Sequence, residues 1–158
     1  MAKLGKNAKK NAKKIKLLAF DVDGVMTDGS ITYDENGVEY KTFNVKDGQG
    51  LVRMVKSGFI TAIITARQNG TVQHRAENLN ITEIYQGQKY KLPALEEIMK
   101  KHNLNFENVA YMGDDLPDLC ILENEAELSF FDQNEKIIRF LLHLLKCKWR
   151  KGCSKGTL

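Results

Sequence analysis

The 158-residue chain contains no apolar run approaching the roughly 18 residues of a membrane-spanning helix, which excludes an integral membrane protein of that kind. Its N-terminus has the positive charge of a secretory leader but no apolar stretch between Lys3 and Lys14, so export is not expected. Cysteine is scarce: Cys120, Cys147 and Cys153 form an odd, scattered set, not a disulfide framework, and a reducing cytoplasm is the expected compartment. His143, Cys147 and Cys153 could be read as zinc ligands, but there are only three and their spacing fits no standard pattern. Acidic residues are missing from both ends. Residues 1–16 hold seven lysines and residues 146–158 hold five bases, with no acid in either stretch. The net charge of +4 and the pI of about 8.9 therefore come from the ends, and the body from 17 to 145 carries −8. That distribution argues against a nucleic-acid-binding domain. Gly48-Gln49-Gly50 lacks the third glycine of a dinucleotide fingerprint, Arg53 standing in its place. A calcium loop starting at Asp21 fails because Val25 occupies an oxygen-ligand position.

What remains is a soluble chain with 42% hydrophobic and 28% charged residues, enough for one domain with a real core. Residues 1–14 read as a mobile basic tail, 15–146 as a single domain, and 147–158 as an atypical basic C-terminal tail. Apolar runs at 15–20, 59–64 and 109–112, with shorter ones at 84–85 and 128–131, predict strands. Helical spacing recurs at Leu51, Val52, Met54 and Val55, in a polar segment at 71–78, at 91–102, and in a strongly apolar stretch at 135–145. Two β-favouring segments, 30–33 and 38–43, flank Asp34-Glu35-Asn36-Gly37 and predict a hairpin. Strands alternating with helices point to a parallel α/β sheet with helices on both faces.

In such sheets ligands bind beyond the carboxyl ends of the strands. There the first strand runs into Asp21 and Asp23, the second into Thr65 and the fourth into Asp114 and Asp115, while Lys91 opens the helix after the third. Taken singly, Asp21–Gly24 is a strand-ending turn, Thr65 a helix cap and Lys91 a solvated surface lysine. Taken together they supply crowded carboxylates, a hydroxyl and an ammonium, a set suited to Mg²⁺ and a phosphoryl group. One aspartate could attack phosphorus and a second could move protons, with Thr65 and Lys91 binding phosphoryl oxygens.

These residues resemble the haloacid dehalogenase superfamily of phosphotransferases. Asp21-Val22-Asp23-Gly24-Val25-Met26-Thr27-Asp28-Gly29 is similar to its first motif and Ile63-Ile64-Thr65 to its second. Lys91 fits the third motif and Gly113-Asp114-Asp115-Leu116-Pro117-Asp118 the fourth. The hairpin, Phe43-Asn44-Val45-Lys46-Asp47-Gly48, Thr65-Ala66-Arg67, Arg75 and Tyr85-Gln86-Gly87 resemble a capless subgroup of sugar-acid phosphate phosphatases of lipopolysaccharide synthesis. The resemblance implies a Rossmann-like fold with a protruding β-hairpin and no cap domain. It implies Asp21 as nucleophile, Asp23 as general acid and base, and Mg²⁺ held by the Asp21 and Asp114 carboxylates and the Asp23 carbonyl. Asp118 would support the metal site from behind, and Thr65 and Lys91 would bind the phosphoryl group. Substrate contacts would fall on Asp23, Asn44, Val45, Lys46, Asp47, Gly48, Arg67, Arg75 and Lys91. A homotetramer formed through the 30–43 hairpin is implied as well, with a small anionic sugar-acid phosphate as substrate.

The alternatives are an N-acylneuraminate 9-phosphate type of phosphatase and a non-catalytic homologue. Three departures from the pattern stand out. Ala66 replaces a glycine, Tyr90 replaces a polar residue before Lys91, and the sequence after Arg139 lacks the family's closing glycine-arginine segment. A shifted reading frame from Lys148 onward could encode a segment close to the expected one.

Overall fold

The computed structural model describes residues 12–122 and 128–131. At its centre lies β1 (Leu17–Phe20), fully buried and apolar at every position. β4 (Ile60–Ile64) runs parallel to it on one side, with Leu17 opposite Ile60, and β6 (Val109–Gly113) on the other, with Leu17 opposite Val109. β5 (Glu83–Tyr85) pairs with β4, and β7 (Leu128–Phe131) with β6. The result is a five-stranded sheet of order β5-β4-β1-β6-β7, parallel throughout. A parallel sheet must have both faces covered, which explains why its strands read as continuous apolar runs.

Alternation along β1 divides the core into two layers. Leu18 and Phe20 pack with Leu51 and Met54 of α1 (Val45–Lys56) and with Val72, Ala76 and Leu79 of α2 (Gly70–Leu79). Leu17 and Ala19 pack with Ala94, Leu95, Ile98 and Met99 of α3 (Lys91–Lys101), and Ile121 of α4 (Leu116–Leu122) joins them. Among the described residues, the strands and helices read from the sequence lie within two or three residues of their expected places. α1 is the main extension. It begins at Val45 because Asn44 caps it, the side-chain oxygen accepting from the Lys46 N–H at 2.8 Å, so Gly48 and Gly50 lie inside the helix and not before it. Gly48 has a reason to be there. A Cβ at that position would fall 2.3 Å from the Arg75 guanidinium and 3.2 Å from a Leu79 methyl, so the missing side chain lets α1 and α2 approach.

α4 was not anticipated. Only Asp118 and Ile121 of its seven residues are buried, too few to leave a periodic signal. Ala12–Lys14 form a turn in which Ala12 is buried in the core, Lys14 pairs with Glu107 at 2.8 Å, and the Lys14 carbonyl accepts from Asn108. Residues 1–11, the helix expected at 135–145, His143, Cys147, Cys153 and the segment 147–158 lie outside the described residues.

Two features position the site. The chain steps outward from β1 to β4 and β5, then crosses back to β6 on the other side of β1, so the strand order reverses between β1 and β6. That reversal opens a crevice at their carboxyl ends. The excursion between β1 and α1 carries a two-stranded antiparallel hairpin, β2 (Thr32–Tyr33) and β3 (Glu39–Tyr40), in which Tyr33 faces Glu39. Asp34 closes its turn by accepting from the Asn36 and Val38 N–H groups, and Gly37 takes the positive φ of 78° that the turn requires.

Candidate active site

Asp21 and Asp114 leave adjacent strands, β1 and β6, on either side of the reversal, and Lys91 enters from the first turn of α3. An ammonium at a helix N-terminus opposes the helix dipole, and Lys91 is only 1% exposed, so it requires anions close by. It has two. Its Nζ lies 3.0 Å from Asp21 Oδ2 and 2.7 Å from Asp118 Oδ1. Burial at this depth overturns the reading of Lys91 as a solvated surface residue.

Asp118 is fully buried and saturated with donors. Besides Lys91 it accepts the Tyr111 hydroxyl on one oxygen, and on the other the N–H groups of Asp114 at 3.1 Å and Asp115 at 3.2 Å. Gly113 makes room for it, since a Cβ there would meet the Asp118 carboxyl carbon at 2.2 Å. Asp114, by contrast, has one buried oxygen, Oδ1, without a hydrogen-bond partner. Gly24, at a φ of 83°, lies against its other oxygen, where a Cβ would come within 1.7 Å.

One oxygen from each of Asp21, Asp114 and Asp118 lies within 4.8 Å of the others. Three carboxylates face one ammonium, and the imbalance appears in their proton affinities. Burial pushes the Asp21 carboxyl up to about 6, with Lys91 opposing and Asp118 adding to the rise. Burial likewise raises Asp114, reinforced by Asp118 and Asp115. Excess negative charge beside an orphaned carboxylate oxygen fits a hard divalent cation with oxygen ligands.

Asp23, two residues after Asp21, lies at the rim in the company of the hairpin. It forms an ion pair with Lys41, whose side chain is 2% exposed, and Arg67 Nε is 4.0 Å from its other oxygen. Lys41 also pairs with Glu39 at 2.8 Å, Glu39 with Arg67, and Arg67 donates to the Tyr33 hydroxyl at 3.2 Å. Thr65 follows the last residue of β4 and is buried, with its N–H donating to the Tyr85 carbonyl and its carbonyl accepting from the Gln88 N–H, both at 2.9 Å. Asp21, Lys91, Asp114 and Asp118 are thus in direct or near contact, and Asp23 and Arg67 meet beside them.

The remaining expected residues occupy the mouth of α1. Asn44, Val45 and Lys46 are exposed in its first turn, while Asp47 and Gly48 are buried. Arg75 on α2 donates to the Asn44 carbonyl at 3.3 Å and lies over the Phe43 ring, 5.5 Å from its centre. A groove of about 430 Å³ between α1 and α2 is lined by Val45, Gln49, Arg53, Lys56 and Arg75 among others, and it does not include the carboxylate cluster.

Sequence reasoning missed Tyr111, Glu39 and Lys41. Tyr111 left no trace, being one apolar-looking position in a buried strand. The hairpin did leave one. Glu39 and Lys41 alternate with Val38 and Tyr40, which are 52% and 56% exposed, so its charged residues point inward and its apolar ones outward.

No family model matches the chain. Over 112 residues it is 46% identical to the 3-deoxy-D-manno-octulosonate 8-phosphate phosphatase of Escherichia coli K12, an alignment covering 71% of this chain and 60% of that protein. The chain therefore spans about three-fifths of the length of the curated relatives it matches. Its fold is similar to the crystal structure of 3-deoxy-D-manno-octulosonate 8-phosphate phosphatase from Moraxella catarrhalis in complex with magnesium, phosphate and 3-deoxy-D-manno-octulosonate. The TM-score is 0.85 and the identity 36%, over 92% of this chain and 95% of that one. The enzyme of the same name from Yersinia pestis gives a TM-score of 0.84 at 31% identity, over 98% and 93% of the two chains.

Proposed function

The chain belongs to the 3-deoxy-D-manno-octulosonate 8-phosphate phosphatase family of the haloacid dehalogenase superfamily, and from that premise we propose that it is a Mg²⁺-dependent phosphomonoesterase. Its substrate in this reading is 3-deoxy-D-manno-octulosonate 8-phosphate, cleaved to the free sugar acid and phosphate within lipopolysaccharide synthesis. The observation that carries the proposal is the buried Lys91 ammonium shared by Asp21 and Asp118, beside the partnerless Asp114 oxygen.

Each residue has a task that follows from its surroundings. Asp21 is the nucleophile. Its Oδ1 is held by the Val22 N–H at 2.7 Å and its Oδ2 by Lys91, so the carboxylate is fixed before substrate arrives. Lys91 and Thr65 stabilise the charge that develops on the phosphoryl oxygens. Asp118 touches no substrate. With its four donors it holds Lys91 and the Asp114 loop in place. Asp23 donates a proton to the departing sugar oxygen and then takes one from the water that hydrolyses the aspartyl-phosphate. Mg²⁺, held by the Asp21 and Asp114 carboxylates and the Asp23 carbonyl, supplies positive charge against the phosphoryl group when bound. Arg67, Arg75, Lys46 and the first turn of α1 face the anionic sugar acid.

The exposed apolar residues Ile31, Tyr33, Val38 and Tyr40 support assembly through the hairpin, with a homotetramer as the proposed state. No helix among the described residues is long and apolar enough to cross a membrane.

The test is phosphate release from a panel of sugar-acid phosphates, N-acylneuraminate 9-phosphate included, with Mg²⁺ and with Asp21→Asn as control. Release from the eight-carbon substrate, abolished in Asp21→Asn, is expected. Equal release from both proteins overturns the mechanism, and no release from any substrate overturns the reading as an enzyme.

A further inference from the structure

The ion pair between Lys41 and Asp23 is unlike the other contacts of the hairpin. A lysine side chain at the edge of a two-stranded hairpin ordinarily reaches water, yet this one is 2% exposed and ends between the carboxylates of Asp23 and Glu39. Glu39 is fixed in turn by Arg67, which also holds the Tyr33 hydroxyl of the opposite strand. The charged groups therefore form a continuous chain from the hairpin to the rim of the crevice.

We propose that Lys41 is a positioning residue for Asp23, fixing its carboxyl group where the leaving oxygen of the phosphoester departs, so that the hairpin takes part in catalysis as well as in contacts between subunits. The inference rests on Asp23 being the proton donor and acceptor.

The reaction has two balanced steps. In the first, an Asp21 oxygen bonds to phosphorus and the bond from phosphorus to the sugar oxygen breaks. The electron pair stays on that oxygen, which takes the Asp23 proton. In the second, water gives a proton to the Asp23 carboxylate, its oxygen bonds to phosphorus, and the bond from phosphorus to Asp21 breaks to restore the carboxylate. Protonation of the leaving oxygen matters for an alkyl ester, whose alkoxide is a poor leaving group. It matters little for p-nitrophenyl phosphate, whose phenolate leaves without a proton. The ratio kcat/KM covers only the first step, so comparing two esters isolates the role of Asp23 in it.

The experiment measures kcat/KM for the sugar-acid phosphate and for p-nitrophenyl phosphate in the wild type, Lys41→Met, Lys41→Arg, Asp23→Asn and Lys41→Met/Asp23→Asn, each checked for a cooperative thermal transition. Lys41→Met is expected to lose roughly ten- to hundredfold on the sugar-acid ester and less than about threefold on the aryl ester. Lys41→Arg keeps the charge and should fall between the wild type and Lys41→Met with the same preference, which keeps the test usable if Lys41→Met does not fold. Adding Lys41→Met to Asp23→Asn should cost nothing further, since the two residues act as one unit. Equal losses on both esters, or full additivity in the double variant, overturn the inference and make Lys41 a structural residue. A wild type that hydrolyses p-nitrophenyl phosphate but no sugar-acid phosphate overturns the substrate reading instead. The same comparison then runs on another alkyl phosphate.

Discussion

Residue by residue, the site is a problem of uncompensated charge. Lys91 is surrounded by protein and neutralises only part of the negative charge of Asp21, Asp114 and Asp118. The Asp21 carboxyl, raised to about 6 chiefly by burial, keeps its proton in the folded, metal-free chain at pH values where the unfolded chain has already released it. Ionisation therefore works against folding. The contribution of Asp21 to stability falls as pH rises from about 4 to about 6, by roughly 3 kcal/mol, and is constant above that. Asp21→Asn removes this slope. In a chelator at pH 7.5 the variant should unfold at higher urea than the wild type, and the gap should close towards pH 4. Mg²⁺ should raise the wild-type midpoint and leave Asp21→Asn little changed. A gap independent of pH would show that Asp21 is not strained in this way. Lys91→Met leaves Asp118 and Asp21 buried without their cation, so a stability loss of about 3–5 kcal/mol is expected, together with loss of phosphate release.

Single elements reach their places through close approaches that only glycine allows. Gly24 lies in the loop after β1, and a methyl there would have to occupy the position of an Asp114 oxygen, backbone strain adding to the clash at a φ of 83°. Gly24→Ala should therefore displace Asp114 and weaken Mg²⁺ binding by at least tenfold in isothermal titration, even where the fold survives. Gly48→Ala differs in kind. Its clash is with the end of a flexible arginine, and alanine is the better helix former by up to about 1 kcal/mol. Stability should change by less than about 1 kcal/mol, while Arg75 is pushed off the Asn44 carbonyl and KM for the sugar-acid phosphate rises several-fold. An unchanged KM would remove Arg75 from the substrate contacts.

The molecule as a whole presents an inside-out hairpin. Val38 and Tyr40 face outward, while Glu39 and Lys41, with Tyr33 opposite Glu39, turn towards the crevice. A strand that exposes its apolar face and hides its charges is adapted to a neighbour on one side and a site on the other. Val38→Asp with Tyr40→Asp should shift the protein to a smaller species in sedimentation velocity without moving Lys41. Sedimentation identical to the wild type would remove the hairpin from the assembly.

The apolar runs and their punctuation determined the α/β class, the strand ends that carry Asp21, Thr65 and Asp114, and the Asn-Gly turn of the hairpin. All of these depend on local periodicity and turn chemistry, which a sequence displays directly. The short helix after β6 stayed hidden because two buried residues make no pattern. The pairing of Lys91 with Asp118, the hold of Tyr111 on that carboxylate and the reach of Lys41 to Asp23 were decided only by tertiary structure. Each joins residues 7 to 27 positions apart, brought together by the order of strands and the fold of the hairpin. Charge count alone could not separate a surface lysine from a buried one. Burial does so physically, because an ammonium removed from water must be met by carboxylates, and where those meet, the chemistry collects.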